Sequence, residues 1–251
     1  ELHQEEETPA IEALQTAIKR IEESPVPPDG IITFWDFPAT IISAMLAARF
    51  TCPGPPIRGI FKCENKAWSR SEQRKVIPDN IPRFRAFNPE NKGAWEDINL
   101  LPPFWIKPVK SFQSFLAYRV HDRQAFEQYR EEMAEKVPLM YEPFCALMQR
   151  CRIPDLVSTA SESCIAESLL SGHMCTIEGY VYDGEVISYG IVDSIREEGL
   201  SSFNRYQYPS RLPMDVQYRM MEITRKIITY IDINDTCFNV EFFYNQTEDR
   251  I

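Results

Sequence analysis

The spacing of apolar residues predicts a helix, a strand and a second helix in the first part of the chain. After Thr8-Pro9, a pair that favours the start of a helix, apolar residues recur at helical spacing: Ile11, Leu14, Ile18 and Ile21. The apolar run of residues 30–35 predicts a strand, and residues 36–50 predict the second helix. Because helices that alternate with strands are typical of α/β layers, residues 1–58 are predicted to be the end of an N-terminal doubly wound α/β domain.

Further along the chain, short strands alternate with helices. Asp183-Gly184 is a dipeptide that favours a type I′ turn, and the alternating runs of residues 176–182 and 185–189 on either side predict a β-hairpin. Residues 61–70 are interpreted as another short strand. The remaining predicted elements are strands at residues 104–107, 115–120, from 165 and at 237–244, and helices at residues 69–76, 122–136 and 214–231. This mixture favours α+β lobes joined in series.

Composition and charge exclude several classes of function. The 251 residues contain 27 Lys and Arg against 37 Asp and Glu, for a net charge of −10 and a pI near 5.0. An acidic chain of this kind is not a general nucleic-acid binder, although a few local cations suffice to bind phosphate. No apolar run approaches the roughly 18 residues of a membrane span. The seven cysteines have no Cys-x-x-Cys spacing and indicate reduced thiols, hence a cytoplasmic protein.

Lys107 stands at the end of a predicted strand and is followed by Pro108. Its aliphatic stem would pack along the strand while its ammonium group projects from the strand's end. The loop that follows contains Ser111 and Ser114, whose hydroxyl groups could donate hydrogen bonds to phosphate oxygens. These residues predict an anion site beside the strand.

Glu241 alternates with Val240 and Phe242 in the last apolar strand. A carboxylate without a partner in apolar surroundings is costly unless a cation neutralises it. Magnesium prefers hard oxygen ligands such as carboxylates. Glu241 is therefore predicted to bind Mg²⁺, with Asn239 as a weaker neighbour.

The order of these motifs resembles the ATP-grasp family of ligases, closest to its carboxylate–amine ligase and biotin-carboxylase-like branch. In chain order the motifs are Asn65-Lys66, Ile106-Lys107-Pro108, Ala166-Glu167 with Leu170, the Asp183-Gly184 hairpin and Asn239-Val240-Glu241. The resemblance covers residues 60–251 and implies an α+β ATP-grasp fold, whose two lobes sandwich ATP. It implies that residues 59–103 belong to the first lobe, 104–164 form a lid, and 165–251 form a C-terminal lobe truncated at its end.

The resemblance also implies roles for residues that would bind the ATP phosphates. Lys66 and Lys107 would approach the phosphates from opposite sides and from separate lobes, with Lys62 as a competing candidate for the role of Lys66. Ser111 and Ser114 lie in the loop that would cover the phosphates. In the family this loop is usually rich in glycine, whereas residues 110–114 contain none.

For the nucleoside, the resemblance places Glu167 and Leu170 at the hinge that binds adenine. The position of the usual ribose-binding glutamate holds Met174, so Glu178 on the next strand is its candidate substitute. Arg205, or alternatively Arg211, would stabilise the transferred phosphoryl group.

The activity implied by the resemblance is an ATP-dependent carboxylate–amine ligation through an acyl phosphate. ATP and Mg²⁺ would be the cofactors, a small-molecule carboxylate and an amine the substrates, and Lys66, Lys107 and Arg205 the catalytic cations. A homodimer is compatible with this interpretation. One alternative is a biotin-carboxylase-like carboxylase. Another is a catalytically degenerate, nucleotide-binding regulatory protein, which the glycine-free loop and Met174 favour.

Overall fold

The N-terminal part of the chain is helical. The computed structural model describes residues 8–112, 114–153, 162–196 and 203–251. Helix α1 (Pro9–Glu22) begins where the sequence predicts, because the Thr8 hydroxyl accepts a hydrogen bond from the Ile11 N–H at 3.4 Å. The next helices are α2 (Ala39–Arg49), α3 (Ile57–Glu64) and α4 (Lys66–Val76), and a 3₁₀ turn, Pro78–Asn80, follows α4.

The strand predicted over residues 30–35 is not formed, so this prediction is wrong. Within the described ranges no strand pairs with this segment, and an extended segment without a partner has no backbone ladder to stabilise it. The Thr33 hydroxyl instead makes a local turn with Trp35, whose N–H donates to it at 3.1 Å. Ile32 and Phe34 are exposed to 77% and 94%. The apolar composition of the segment therefore does not reflect burial.

The strand interpretation of residues 61–70 is also wrong, because this segment contains the end of α3 and the start of α4. Asn65 separates the two helices with an extended backbone, φ −101° and ψ 111°. Its side-chain oxygen accepts a hydrogen bond from the Trp68 N–H at 3.0 Å, the usual bond of an N-cap residue. Lys66 is consequently the first residue of a helix. The helix predicted over residues 69–76 is confirmed as part of α4.

A four-stranded antiparallel sheet with the order β1-β4-β2-β3 follows. Its strands are β1 (Phe84–Phe87), β2 (Phe104–Pro108), β3 (Tyr118–Val120) and β4 (Cys164–Ser168). The helices between them are α5 (Ala94–Ile98), α6 (Arg123–Lys136) and α7 (Pro138–Arg150). Helix α6 begins as predicted, since the Asp122 carboxylate accepts the Ala125 N–H at 2.8 Å. Alternate residues of β2, Phe104 and Ile106, enter the hydrophobic core.

The last part of the chain forms a second antiparallel sheet with the order β7-β6-β5-β8. Its strands are β5 (His173–Tyr182), β6 (Glu185–Ile195), β7 (Arg205–Gln207) and β8 (Thr236–Tyr244). Helix α8 (Met214–Tyr230) lies between β7 and β8 in the chain. The predicted hairpin joins β5 to β6, and Asp183 and Gly184 have φ angles of 49° and 76°, as a type I′ turn requires. Apolar residues of the sheet pack on α8 around the fully buried Met220.

The chain divides into two compact units. The first contains Glu1–Ser71 and Pro82–Leu169, and the second contains Glu72–Ile81 and Leu170–Ile251. The division into segments 1–58, 59–103, 104–164 and 165–251 stays a prediction. None of the helices in the described part of the chain is both long and apolar enough to span a membrane.

Candidate functional site

The first unit brings a carboxylate and two cations together at one end of its sheet. In the register of β2 and β4, Trp105 lies opposite Glu167, and strand alternation places Lys107 on the same face. The Lys107 ammonium group forms an ion pair with Glu167. The guanidinium of Arg70, on α4, donates from Nε to the other oxygen of Glu167 at 2.6 Å. Glu167 is thus bound by cations from two different elements.

The environment of Glu167 keeps it ionised. Burial opposes its charge, but the attraction of Arg70 and Lys107, together with their hydrogen bonds, outweighs this effect and lowers the pKa of Glu167 from 4.5 to about 2. Only 6% of its side chain is exposed. The carboxylate therefore orients Lys107 and Arg70 and does not exchange protons near neutral pH.

Lys66 lies beside this group because the start of α4 is bonded to the segment that follows β2. The Lys66 N–H donates to the Val109 carbonyl oxygen at 2.8 Å. The Lys66 ammonium group donates to the Ser111 carbonyl oxygen at 2.7 Å and to the Ser111 hydroxyl at 3.2 Å. Both partners are uncharged, so Lys66 differs from Lys107 in having no carboxylate bonded to it among the described residues.

Burial and the neighbouring cations disfavour the protonation of Lys66. Burial is the largest effect, and the nearby ammonium groups of Lys107 and Lys110 add to it, which lowers the pKa of Lys66 from 10.5 to about 7. The carboxylates of Glu167 and Glu64 act in the opposite direction and only partly compensate. An anion that reached Lys66 would reverse this balance and favour the charged form.

Lys110 supplies a further cation and is almost completely buried, with 3% of its side chain exposed. It forms an ion pair with Glu64, the last residue of α3, and its ammonium nitrogen lies 4.8 Å from the centroid of the Phe37 ring. The Thr40 hydroxyl donates to Glu64 at 2.6 Å. Lys110 is buried and only 10% of the Glu64 side chain is exposed, so this pair fixes the segment after β2 to the helices that precede it.

Together these side chains make a positively charged cluster within an acidic protein. The cluster consists of the cations Lys66, Arg70, Lys107 and Lys110 and the carboxylates Glu64 and Glu167. Its cations outnumber its carboxylates, and the first turn of α4 adds the positive end of a helix dipole at Lys66. A ligand with several negative charges would complement this cluster, which we call the lysine cluster.

The predicted phosphate-covering loop, residues 110–114, adjoins the lysine cluster. Ser111 is the hydrogen-bond partner of Lys66, as described above. Ser114 is exposed, has a φ of 58°, and its carbonyl oxygen accepts the Ala117 N–H at 3.1 Å. Residue 113 lies outside the described residues. The roles of Ser111 and Ser114 toward phosphate stay predictions.

The second unit brings three other predicted site residues onto one sheet face. Glu178 pairs with Asn239, and Thr176 pairs with Glu241, so Glu178, Asn239 and Glu241 project to the same side. Burial raises the pKa of Glu178. Asn239 and Glu241 are exposed, which corrects the premise that Glu241 is a carboxylate in apolar surroundings. Its role as a metal ligand stays a prediction without that argument.

The remaining predicted residues lie elsewhere in the second unit. Arg205 begins β7, at the edge of the sheet opposite Ile195, and is exposed. Leu170 is 41% exposed. The alternative Arg211 donates its backbone N–H to the buried carboxylate of Asp193 at 2.9 Å. The functional assignments of these residues stay predictions.

Comparison with known proteins gives a clear result at the level of structure. The sequence matches no protein-family model and no curated protein. An L-amino acid ligase from Bacillus licheniformis superposes with a TM-score of 0.75 at 20% identity, covering 96% of this chain and 53% of that one. A biotin carboxylase from Campylobacter jejuni, in a β-γ-ATP complex, superposes with a TM-score of 0.69 at 13% identity, covering 93% and 49%. This chain has the ATP-grasp fold.

The ATP-grasp fold predicted from the sequence motifs is thereby confirmed. A D-alanine–D-alanine ligase from Bacillus anthracis, complexed with ATP, also superposes, with a TM-score of 0.56 at 12% identity over 81% of this chain and 58% of that one. The chain spans about half the length of the solved structures that it matches. The identities are low, so the likeness concerns the fold.

Within the first unit, the two predicted lysines, Lys66 and Lys107, lie near each other. Lys66 and Lys107 both belong to the first compact unit, while their assignment to separate lobes stays a prediction, like the segment boundaries on which it depends. The hydrogen bond from the Lys66 N–H to the Val109 carbonyl oxygen places the start of α4 beside the segment that continues β2. Lys62, the competing candidate, lies on α3.

Sequence reasoning missed three members of the lysine cluster: Glu64, Arg70 and Lys110. Each is a charged residue within four positions of a predicted one, and for Glu64 and Lys110 this proximity along the chain was the only available signal. Arg70 could have been found from helical spacing, because a residue four positions after Lys66 lies on the same side of a helix.

Proposed function

We propose that this chain contains the nucleotide site of an ATP-dependent ligase that joins a carboxylate to an amine. The observation that carries the proposal is the lysine cluster, in which four cations from α4, β2 and the segment after β2 lie around two carboxylates. The cations of the cluster outnumber its carboxylates, so an anionic ligand would complement it, and charge-assisted hydrogen bonds to phosphate are among the strongest that a protein can form. The triphosphate of ATP supplies that charge.

The similar solved structures support this choice of ligand. The biotin carboxylase was solved as a β-γ-ATP complex and the D-alanine–D-alanine ligase in complex with ATP. Both share this chain's fold, and the L-amino acid ligase has the highest TM-score of the three structures described above. Small-molecule carboxylates and amines are therefore the proposed substrates.

In the proposed reaction, a carboxylate oxygen of the first substrate attacks the γ-phosphorus of ATP, and ADP leaves. The amine then attacks the acyl carbon, inorganic phosphate leaves, and the nitrogen loses a proton. Lys66 and Lys107 would neutralise charge on the phosphates as it shifts toward ADP. Glu167 would keep Lys107 oriented for this role, and Arg205 is the proposed cation near the transferred group. The protein's contribution would be mainly positioning and electrostatic stabilisation.

The donors on the second unit's sheet face fit Mg²⁺. Glu241 and Asn239, with Glu178 as a neighbour, offer hard oxygen atoms, and Mg²⁺ in proteins is commonly held by one or two carboxylates plus the phosphates of a substrate. Among the described residues no group of three or more His, Cys, Asp or Glu could hold a metal by itself. Glu241 and Asn239 would thus bind the ion together with ATP. The ion would supply positive charge to the phosphate oxygens.

Two alternatives follow from specific observations. A carboxylase that activates bicarbonate is supported by the likeness to biotin carboxylase. A nucleotide-binding protein without turnover is supported by the glycine-free loop and by the bonds that already engage Lys66 with Ser111. A cytoplasmic location and a homodimer stay predictions.

One experiment separates these functions. The protein is incubated with ATP and Mg²⁺. ADP release is measured with a carboxylate that lacks an amine, with an amine that lacks a carboxylate, with amino acids that carry both groups, and separately with bicarbonate and biotin. The ligase proposal expects ADP release only when a carboxylate and an amine are both present. Release that requires bicarbonate and biotin would identify the carboxylase. ATP-dependent thermal stabilisation without any ADP release would identify the binding protein.

A further inference from the structure

One face of the second unit's sheet is turned away from α8. Ile177 on β5 and its partner Ile191 on β6 pack in the hydrophobic core with residues of α8. Successive residues of a strand point to opposite sides, so Glu178 and Tyr180 lie on the other face, which we call the outer face. Glu178 is the residue of β5 from which the inference starts.

Glu178 lies next to the proposed Mg²⁺ ligands on the outer face. It pairs with Asn239, and Glu241 is its diagonal neighbour, because Glu241 pairs with Thr176. Diagonal neighbours of this kind are about 7–8 Å apart. In the proposed reaction the ion binds the phosphates, and the amine attacks an acyl carbon that is bonded to the transferred phosphoryl group. A side chain that binds the amine must therefore lie close to the ion's ligands, as Glu178 does.

Glu178 is a half-buried carboxylate without a partner in the described part of the chain. Burial raises its pKa, and no cation acts in the opposite direction. No described residue donates a hydrogen bond to Glu178 or forms an ion pair with it. A partly desolvated carboxylate is costly unless a cation neutralises it. The side chain of Glu178 is therefore suited to a positively charged ligand.

An aromatic ring lies beside Glu178 on the outer face. Gly190, on β6, is directly opposite Glu178 in the register. A Cβ atom at residue 190 would lie 2.7 Å from Cε2 of Tyr208 and 3.5 Å from two further carbons of that ring. The ring thus rests against the Gly190 backbone, where a side chain would displace it. Since the Cβ positions of directly opposed residues are about 5 Å apart, the ring of Tyr208 adjoins Glu178.

Hydrogen bonds to β6 hold Tyr208 in this position. The Ser210 N–H donates to the Ile191 carbonyl oxygen at 3.0 Å, and the Arg211 N–H donates to the buried carboxylate of Asp193 at 2.9 Å. Both acceptors belong to the strand that contains Gly190. The segment that carries Tyr208 is therefore fixed, although 66% of Tyr208 is exposed. An exposed ring that is held in place is available to a ligand.

These groups fit an organic ammonium ion. A cation near the face of an aromatic ring is attracted by the π electrons, and a carboxylate forms charge-assisted hydrogen bonds with ammonium N–H groups. Tyr180, two residues after Glu178 on the same face and 39% exposed, offers a second ring. Mg²⁺ instead requires oxygen ligands in near-octahedral geometry, and the face of an aromatic ring supplies none. The aromatic ring beside Glu178 therefore favours an ammonium ion over a metal.

We propose that Glu178 and Tyr208 bind the ammonium group of the amine substrate. This inference rests on the proposed function, because it assumes that the reaction joins a carboxylate to an amine. It states the form in which the amine binds, an organic primary ammonium ion. Glu178 receives this role in place of the ribose contact predicted from the sequence. A substrate with an uncharged nitrogen would lose the ion pair, so Glu178 and Tyr208 select the second substrate by its charge.

Binding of benzylammonium chloride to the full chain tests the proposal. Its dissociation constant is measured by NMR titration, with and without ATP, and benzyl alcohol serves as the uncharged analogue. Wild type is expected to bind benzylammonium at least tenfold more tightly than benzyl alcohol. In Glu178→Gln, benzylammonium should bind about 10- to 100-fold more weakly, the effect of losing a hydrogen bond to a charged group. Glu185→Gln, at an exposed position of β6, is the matched control and should bind as wild type.

Two variants test the aromatic ring without changing the carboxylate. Tyr208→Ala is expected to weaken benzylammonium binding about two- to fivefold, the usual size of an exposed cation–π interaction. Gly190→Ala should weaken it in the same direction, because the added methyl group displaces the Tyr208 ring. Melting temperatures show whether each variant is folded, and Tyr208→Ala decides this arm if Gly190→Ala does not fold. Wild-type affinity in folded Tyr208→Ala would overturn the role of the ring.

The outcomes for Glu178 separate this inference from the proposed function. Equal benzylammonium affinity in wild type and Glu178→Gln, or no binding with or without ATP, would overturn the inference. Weaker binding of ATP without Mg²⁺ in Glu178→Gln, with unchanged benzylammonium binding, would also overturn it and assign Glu178 to the nucleotide. ADP release that requires a carboxylate and an amine would leave the proposed function standing in either case. Benzylammonium binding that depends on Glu178, without such ADP release, would support the ammonium site and overturn the ligase.

Discussion

Arg70 and Glu167 lie 97 positions apart in the sequence, and the Arg70 Nε–H donates to the Glu167 carboxylate at 2.6 Å. This bond joins α4 to β4, and Lys107, on β2, forms an ion pair with the other oxygen of the same carboxylate. A carboxylate with two cationic partners is oriented on both oxygen atoms. Its removal would leave Arg70 and Lys107 near each other without this carboxylate between them.

Glu167→Gln is expected to destabilise the protein in a pH-dependent way. The pKa of Glu167 is about 2 in the folded protein against 4.5 for the free side chain. The carboxylate's contribution to the free energy of unfolding, on the order of 3 kcal/mol, is fully present above pH 4.5 and is lost as the pH falls toward 2. Urea unfolding of wild type and Glu167→Gln should show a difference that shrinks over this range. A difference that does not change with pH would contradict the assignment.

Nucleotide binding is expected to take up protons through Lys66. The pKa of Lys66 is about 7 in the free protein because of burial, Lys107 and Lys110, and bound phosphates would raise it. At about pH 8 the complex should therefore bind up to one proton more than the free protein and ligand, and affinity for ATP should fall as the pH rises further. Calorimetry in buffers with different ionisation enthalpies measures this uptake.

Lys66→Arg is the control for proton uptake, because arginine stays charged throughout this range. It should bind ATP without taking up a proton. Uptake of the same size in wild type and Lys66→Arg would assign the proton to another group.

Lys107→Ala is expected to abolish thermal stabilisation by ATP, because it removes one of the cations that would bind phosphate. The melting temperature is measured with and without ATP for this variant, for wild type and for Lys92→Ala, an exposed lysine in the same unit. Lys92→Ala should keep the full ATP-dependent shift. A full shift in Lys107→Ala would remove Lys107 from the site.

Lys110→Met is expected to lower the free energy of unfolding by about 3–5 kcal/mol, the usual effect of leaving one partner of a buried ion pair alone. The reason is that Glu64 would keep only the Thr40 hydroxyl among its described partners. The double variant Lys110→Met/Glu64→Gln should recover part of this loss.

Lys136→Ala breaks a much more exposed pair with Glu132 and should cost less than about 1 kcal/mol. Equal effects of Lys110→Met and Lys136→Ala in chemical denaturation would contradict the structural role of Lys110.

Glu241→Gln is expected to change stability by less than about 0.5 kcal/mol, because its side chain is exposed on β8. If Glu241 binds Mg²⁺ with the nucleotide, the variant should need a higher Mg²⁺ concentration for ATP-dependent ADP release. Glu185→Gln, at an exposed position of β6, is the matched control. An unchanged Mg²⁺ requirement in Glu241→Gln would exclude this residue as a ligand.

The sequence predicted those elements whose signals are local. The N-caps Thr8 and Asp122 and the Asp183-Gly184 turn are formed as expected, because capping and turn geometry depend on a few adjacent residues. Residues 30–35 misled the prediction, since apolar composition predicts a strand only where another strand is available to pair with it. Residues 61–70 did so because they contain the end of one helix and the start of the next, and neither piece is long enough to show a helical period.

The order of its motifs, read along the chain, was enough to determine that this protein has the ATP-grasp fold and that Lys66, Lys107 and Glu167 are notable residues. Only the tertiary structure decided that all three meet in one cluster with Arg70, Lys110 and Glu64, and that Lys66 is held by Ser111. The order of the motifs can be read from the sequence because each motif consists of a few adjacent residues. The charge on a lysine, by contrast, depends on groups brought near it by strand register and helix packing, which no local pattern specifies.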